Sequence, residues 1–421
     1  MRSLANSCDV LIGGAGIAAA ASALRLCALG FRPLMLATSH RISSGVEAIP
    51  EPTHQLFVAL GAEHVLREAG AVLVEGFENR WDPSRPVLRS GYWIHVDRER
   101  LARAAVREAV KRGAVFQICR QLPEIRQEAD SVCANWDGAA FRFDAAVDAT
   151  GRSAVWSRPI RRRGRQIADI YKLPSDVNPA PARVVQFPGR WAYRIGVPTC
   201  STMAILSPDG TKRDPFDSLT QEAFCVSPNS CACAGRRPAF PQWSDNPVRG
   251  RRLAVGDAAL AYDPLAGQGI RFALSSAFAA ASVINTWRTE PSQAAAAERF
   301  YEGFVTRCSE MHFQFIDRMR GESNPPQPCK AIPEVVVFSG RTVISAVQVD
   351  SRIRTDEVVV LPDGHQVRWV EGLDLLRLRD LVSQPIHSSD LMDRLVPAFC
   401  GVERFAALMQ WCLQHHVLSP A

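Results

Sequence analysis

The chain has 421 residues, 47% hydrophobic and 22% charged, with a formal net charge of +6. That composition excludes a disordered or fibrous protein, and the length predicts two or three domains. Twelve cysteines without a repeating spacing exclude a disulfide framework, and Cys231-x-Cys233 lacks a second pair, so reduced thiols and no metal site are expected.

Val10–Ile12 reads as a short buried strand, followed by Gly13, Gly14 and Gly16 and an alanine-rich helix running to Gly30. The spacing Gly14-x-Gly16-x-x-Ala19 is a dinucleotide fingerprint. Its glycines allow a tight turn, Ala18–Ala21 let the helix lie close to the sheet, and the helix N-terminus receives a pyrophosphate. The glycines also interrupt what would otherwise pass for a membrane helix over Val10–Leu29. No basic leader or cleavage site precedes it, so no span and no signal peptide are expected, and the expected location is cytoplasmic.

Phe31–Leu36 is a second strand. An acidic residue usually ends this strand and holds the ribose, but here that position falls on Ala37, so Thr38 or Ser39 is the expected contact. Residues 40–55 read as irregular and contain Gly45-Val46-Glu47. Two short helical runs follow, then strand-like pieces over 71–96. Asp97 opens an amphipathic helix to Arg112, with Leu101, Ala105, Val106 and Ala109 on one face. Arg98, just inside its N-terminus, is a candidate phosphate clamp.

Phe143–Asp148 is a strand ending in the glycine turn Asp148-Ala149-Thr150-Gly151, a candidate second backbone contact to the cofactor. The proline-rich stretch 160–250 reads as an antiparallel sheet with loops, forming a roof over the site. Leu253–Asp257 is a further strand; a carboxylate at its end suits polyol hydroxyls. The helix that opens near Gln268 points its positive end at the same place. Two arginine knots, at 158–165 and 236–252, are either solvated loops or a landing surface for an acidic protein. No aromatics are interleaved with them, which argues against nucleic acid.

Pro325–Pro328 reads as a linker. Beyond it, Thr342–Val349 alternates as a strand, and Glu357–Leu361 and Gln366–Val370 flank a hairpin turn. Three helical stretches follow, Leu373–Val382, Ser389–Phe399 and Glu403–His415.

In order, Gly14-Ala15-Gly16, Arg98, Asp148–Gly151, and Gly256-Asp257 with Asp263-Pro264-Leu265-Ala266-Gly267-Gln268-Gly269 resemble the FAD-dependent aromatic hydroxylases and flavin-dependent halogenases. The resemblance implies an α/β fold in three parts. These are a Rossmann-like FAD-binding domain (1–77, 97–160, 246–324), an antiparallel β-sheet substrate domain (78–96, 161–245) and a small C-terminal α+β winged-helix-like domain (325–421). It implies FAD, with Gly14, Gly16 and Ala19 at the pyrophosphate and Arg98 near the phosphates. Thr38, Asp148 and Gly151 would lie along the cofactor, with Asp257 on the ribityl chain. Pro264, Gly267, Gln268 and Gly269 would lie beside the isoalloxazine.

Halogenases also carry Trp-x-Trp-x-Ile-Pro and an active-site lysine. This chain has Trp191-Ala192-Tyr193-Arg194-Ile195-Gly196-Val197-Pro198, and its lysines are Lys111, Lys172, Lys212 and Lys330. Hydroxylation asks less of the protein, because a hydroperoxide at flavin C4a is itself the electrophile. Glu47 or Asp263 would then be the base. The tail resembles the PqqD-like peptide-recognition domains, with a packing or dimerisation appendage as the alternative.

The whole chain resembles the flavoprotein monooxygenases of tryptophylquinone biogenesis. That implies hydroxylation, twice, of a peptidyl tryptophan in a small acidic partner subunit. Reducing equivalents would come from NADH directly or from a flavin reductase. The alternatives are a hydroxylase or halogenase of a free aromatic metabolite, and a peptide-binding assembly factor with a vestigial flavin, which Ala37 keeps open.

Overall fold

The computed structural model describes residues 7–38, 45–81, 86–136, 138–174, 179–208, 217–319, 332–370, 373–399 and 402–421. Ser39, Lys212, Lys330 and the proline run at 325–328 lie outside the described residues. The chain folds as two compact units, Met1–Ile284 and Asn285–Ala421. No helix among the described residues is long and apolar enough to cross a membrane.

The expected α/β fold is present. In the first unit, Val10–Gly13 is buried along its whole length, as a continuous apolar run in a parallel sheet should be. It pairs in parallel with Pro33–Ala37 on one side and Ala145–Asp148 on the other. Val115–Ile118 and Arg252–Ala254 extend the parallel sheet, and antiparallel Val248–Arg249 closes it at six strands. Helix Ile17–Ala28 buries Ala18–Ala21 and Ala23. Asp97 caps the helix Arg98–Lys111, accepting from the Arg100 amide at 2.9 Å. Its buried face includes Leu101, Ala105, Val106 and Ala109, as the periodicity requires.

The second layer is an eight-stranded sheet that reaches beyond 160–250. Val72–Arg80 joins it through a parallel pairing with Ala182–Val185, and Val87–Asp97 continues it. Val46–Pro50 forms the last strand, antiparallel to Trp93–Asp97. That strand lies in a stretch read as irregular, because five residues between a glycine and a proline-capped helix are too few to display an alternation. A small sheet, Glu124–Gln127, Val132–Trp136 and Ala139–Phe143, adds an apolar cluster around Trp136, Phe141 and Phe143.

In the second unit, Arg341–Val349 pairs with Arg352–Val360 in unbroken register. The two-residue loop between them holds Asp350 and Ser351 at φ 46° and 65°, a mirror-image hairpin turn made without glycine. The hairpin read around Pro362–His365 pairs Val359–Val360 with Gln366–Val367. Helices Leu375–Leu381, Ser388–Phe399 and Val402–Gln414 share a core that includes Leu391, Leu395, Phe405, Leu408 and Cys412. Asp374 accepts from the Leu376 amide at 2.9 Å and pairs with Arg368, whose Nη2 donates to Oδ2 at 2.8 Å.

These buried groups set the stability of each unit. The Asp374 side chain is 9% exposed and that of Arg368 17%. Asp374→Ala would take the buried anion from a guanidinium left with the Glu357 carbonyl and the more exposed Asp356, and would uncap the helix, lowering the stability of residues 285–421 by about 3 kcal/mol, measured by urea unfolding. His95 is fully buried. Its Nδ1 donates to the Gly196 carbonyl at 2.9 Å, and its Nε2 has no partner among the described residues. Burial holds its pKa below 6.5, with the carbonyl opposing. Its contribution to stability is therefore full above 6.5 and lost as pH falls through the depressed value. His95→Phe should flatten the fall in unfolding midpoint over that interval; an unchanged slope would reject the assignment.

Candidate active site

A cavity of about 810 Å³ lies in the first unit, between the ends of the parallel strands and the antiparallel sheet. Its floor is the turn after Val10–Gly13. Gly14, Ala15, Gly16, Ile17 and Ala18 line it, so the N-terminus of helix Ile17–Ala28 opens onto the cavity. No side chain caps that end, and no acidic residue stands in its first turn. Its amides and partial positive charge are therefore left for an anion.

The glycines here divide into two kinds. At Gly14 (φ +122°), a Cβ would stand 2.3 Å from the Ala149 oxygen, and at Gly256 it would stand 2.7 Å from the Ala18 Cβ. Those glycines bring strand ends and helix together. At Gly16, Gly151, Gly267 and Gly269, a Cβ would meet no protein atom within 4 Å, although all four line the cavity. Gly151 (φ +65°) and Gly267 (φ +60°) also turn the backbone left-handed, whereas Gly16 and Gly269 have no such need; together the four form a cradle whose bare backbone suits a long ligand lying against it.

Strand pairing brings Glu47 and Arg98 together. Val46 lies opposite Asp97 and Glu47 opposite Val96, and the Arg98 amide donates to the Gly45 carbonyl at 2.9 Å. The Arg98 Nη1 stands 3.3 Å from Glu47 Oε1 inside the cavity. Burial pushes the Glu47 carboxyl above its usual range, with Arg98 opposing and Asp257 adding. For Arg98, burial acts to lower the pKa, but Glu47, Asp257 and Tyr193 more than offset it, so the guanidinium stays charged.

The other residues singled out in the sequence fall into two groups. Thr38, Asp257, Asp263, Pro264 and Gln268 line the cavity. Asp263 is 1% exposed, and its Oδ1 accepts from the Leu265 amide at 3.0 Å, so it braces the Pro264–Ala266 turn. Ala19 and Asp148 are fully buried and do not line the cavity. The Asp148 Oδ1 accepts from the Thr150 amide and hydroxyl at 3.1 and 2.6 Å, and Oδ2 from the Trp156 amide at 2.7 Å. In the arginine knots, Arg161, Arg236 and Arg251 pair with Asp245, Asp169 and Asp130, while Arg237 lines the cavity.

Several lining residues were not singled out beforehand. Trp191, Tyr193 and Ile195 alternate along strand Arg190–Val197 and present one face to the cavity. Period two was the available signal. The Trp191 and Tyr193 ring centroids are 5.8 Å apart, and Trp81 follows at 6.1 Å from Trp191. Phe77 adds another aromatic from Val72–Arg80, the next strand but one in the sheet. Burial raises the Tyr193 pKa, with the Glu47 carboxylate adding to it, so the phenol stays protonated. Arg152 donates to the Phe240 carbonyl at 2.7 Å; burial lowers its pKa, opposed by Asp257. Among the described residues, no group of three or more His, Cys, Asp or Glu could hold a metal ion.

No family model matches the chain. A curated relative, tryptophan 2-halogenase from Chondromyces crocatus, is 24% identical over 354 residues, 74% of this chain and 66% of the relative. The chain thus spans just under two thirds of that relative's length. Among solved structures, QhpG, a peptidyl tryptophan dihydroxylase essential for tryptophylquinone cofactor biogenesis, matches with a TM-score of 0.71 at 21% identity. The match covers 97% of this chain and 99% of QhpG. CmlS, a flavin-dependent halogenase, matches with a TM-score of 0.75 at 16% identity, covering 98% and 95%. With the glycine cradle and the helix N-terminus on the cavity floor, these likenesses give the chain the fold of the flavin-dependent aromatic hydroxylases and halogenases.

Proposed function

We propose that the chain is an FAD-dependent monooxygenase that hydroxylates a peptidyl tryptophan of a small partner subunit, twice, during tryptophylquinone biogenesis in the cytoplasm. The observation that carries the cofactor is the cradle of Gly16, Gly151, Gly267 and Gly269, where bare backbone faces open space beside an uncapped helix N-terminus. The tryptophan reading is supported by the likeness to QhpG over nearly the full length of both chains.

In this reading, residues 1–77, 97–160 and 246–324 serve FAD, residues 78–96 and 161–245 the substrate, and residues 325–421 the partner. The amides at the start of helix Ile17–Ala28 hold the pyrophosphate, and Arg98 adds a cation at the phosphates. Thr38 takes the ribose, and Asp257 the ribityl hydroxyls. Asp148 acts indirectly by bracing the turn that carries Gly151. When bound, FAD reduced by NADH or by a separate flavin reductase supplies, with dioxygen, an electrophilic oxygen. One oxygen atom replaces a ring hydrogen, and the other leaves as water with the two reducing electrons.

Phe77, Trp191, Tyr193 and Leu265 give an aromatic and apolar wall that holds an indole and excludes water. Glu47, with its raised pKa, takes the proton released as the ring regains aromaticity. A second reading, halogenation, is favoured by the names of two of the similar proteins. Against it, no lysine is among the described residues that line the cavity.

Two experiments test the proposal. Candidate subunits would be incubated with the protein, FAD, NADH, a flavin reductase, chloride and oxygen, and then digested for mass spectrometry. One or two added oxygen masses on a tryptophan peptide are expected. A chlorine mass would establish halogenation, and no change on any subunit would reject the peptide reading. Gly16 has ordinary backbone angles (φ −79°), so Gly16→Val should fold normally yet weaken FAD binding at least about tenfold, or 1.4 kcal/mol. Undiminished flavin content in the purified variant would remove the cradle from the argument.

A further inference from the structure

Strand Val87–Asp97 is longer than its neighbours on one side. Val72–Arg80 accompanies it from Val72↔His95 to Asn79↔Val87. On the other side, Val46–Pro50 stops at Pro50↔Trp93, where the chain turns into helix Glu51–Ala59. Among the described residues, 87–92 therefore have a strand partner on one side, and every one of them is exposed. Val87, Leu88 and Tyr92 hold apolar side chains in the open at 51%, 67% and 58% exposure.

An edge of this kind presents a row of unpaired N–H and C=O groups. Soluble proteins ordinarily blunt such edges with lysine or proline. Val87-Leu88-Arg89-Ser90-Gly91-Tyr92 contains neither, and its one irregularity is a register shift at Ser90-Gly91, between the pairs Phe77↔Arg89 and Glu75↔Tyr92.

The register ties this edge to the cavity. Arg89 lies directly opposite Phe77, a lining residue, and residues directly opposite share a face of the sheet. The Phe77 ring also packs on Trp93 at 5.7 Å between centroids. A strand added outside Val87–Tyr92 would run about 10 Å from the strand that carries Phe77, two strand spacings away.

We propose that Val87–Tyr92 is the docking edge for the polypeptide substrate: an extended segment beside the target tryptophan adds to the sheet there and leads the indole past Phe77 into the cavity. This rests on the peptidyl reading above. The occupant follows from the chemistry, since a row of backbone donors and acceptors is complementary to another extended backbone and to nothing on a free aromatic metabolite. Leu88 and Tyr92 would cover alternate side chains of the segment, and Arg89 would favour an acidic residue near the tryptophan.

The test uses the FAD-loaded full chain and the double variant Leu88→Lys/Tyr92→Lys, both exposed positions where lysine blocks strand addition without disturbing the core. The probes are a labelled acidic peptide with a central tryptophan and N-acetyltryptophanamide, with binding of each measured by titration. We expect the variant to bind the peptide about tenfold more weakly, with N-acetyltryptophanamide binding and flavin content unchanged. Equal peptide affinity in variant and wild type would overturn the docking edge and leave the peptidyl reading standing. A wild-type chain that binds the amide but not the peptide would overturn both. A wild-type dimer converted to monomers by the lysines would instead assign the edge to a second copy of this chain.

Discussion

Two parallel strands end so close together at Gly14 and Ala149 that no side chain fits between them; a Cβ on residue 14 would stand 2.3 Å from the Ala149 oxygen. That approach sets the floor of the cavity. It is held from below by Asp148, whose buried carboxylate collects the Thr150 amide and hydroxyl and the Trp156 amide. The Trp156 indole then donates to the Pro123 carbonyl at 3.0 Å. Its ring lies where a Cβ on Gly13 would be, within 2.7 Å. One carboxylate thus fixes the turn that lets a helix N-terminus and a glycine turn share one opening.

The roof depends on a different constraint. The antiparallel sheet recruits strands from both sides of helix Arg98–Lys111, and the pairing of Val46–Pro50 with Trp93–Asp97 sets an acid beside a base at the cavity wall. Burial makes that arrangement chemically useful. It raises the Glu47 carboxyl above its usual range while Arg98 remains a fixed cation. The same sheet supplies aromatic side chains to the cavity from alternate residues of Arg190–Val197, so the Glu47 carboxyl and the aromatic wall come from one layer.

The parallel core was legible in the sequence because its signals are local. Val10–Gly13, the alanine face of the next helix and the cap at Asp97 each follow from a handful of adjacent residues. The twelve residues expected at the site that now line the cavity, among them Gly16, Glu47, Arg98 and Asp257, sit at strand ends or helix starts, where glycine, proline and charge punctuate the chain. What the sequence concealed depends on partners far away. Val46–Pro50 becomes a strand only because residues 93–97 lie beside it. Trp191 and Tyr193 face the cavity because their strand is central in its sheet. The Asp350-Ser351 turn escaped notice because left-handed backbone usually advertises itself with glycine or asparagine.

Asp148 also bears on how amino-acid variants of this chain should be interpreted. It belongs to the ordered set of motifs that identifies the fold, yet its carboxylate is spent on the protein's own amides and lies wholly out of reach of solvent. A substitution there would surface first as poor yield or aggregation, because the buried Trp156 amide and the partly buried Thr150 amide and hydroxyl would lose their acceptor at once. Screening by flavin colour alone would misclassify such a variant as a cofactor mutant. At the neighbouring Gly151 the side-chain space is open, but the backbone is left-handed (φ +65°) and its carbonyl accepts from the Ala154 amide at 3.0 Å, so adjacent letters of one motif record two separate demands on folding, one on buried donors and one on backbone conformation.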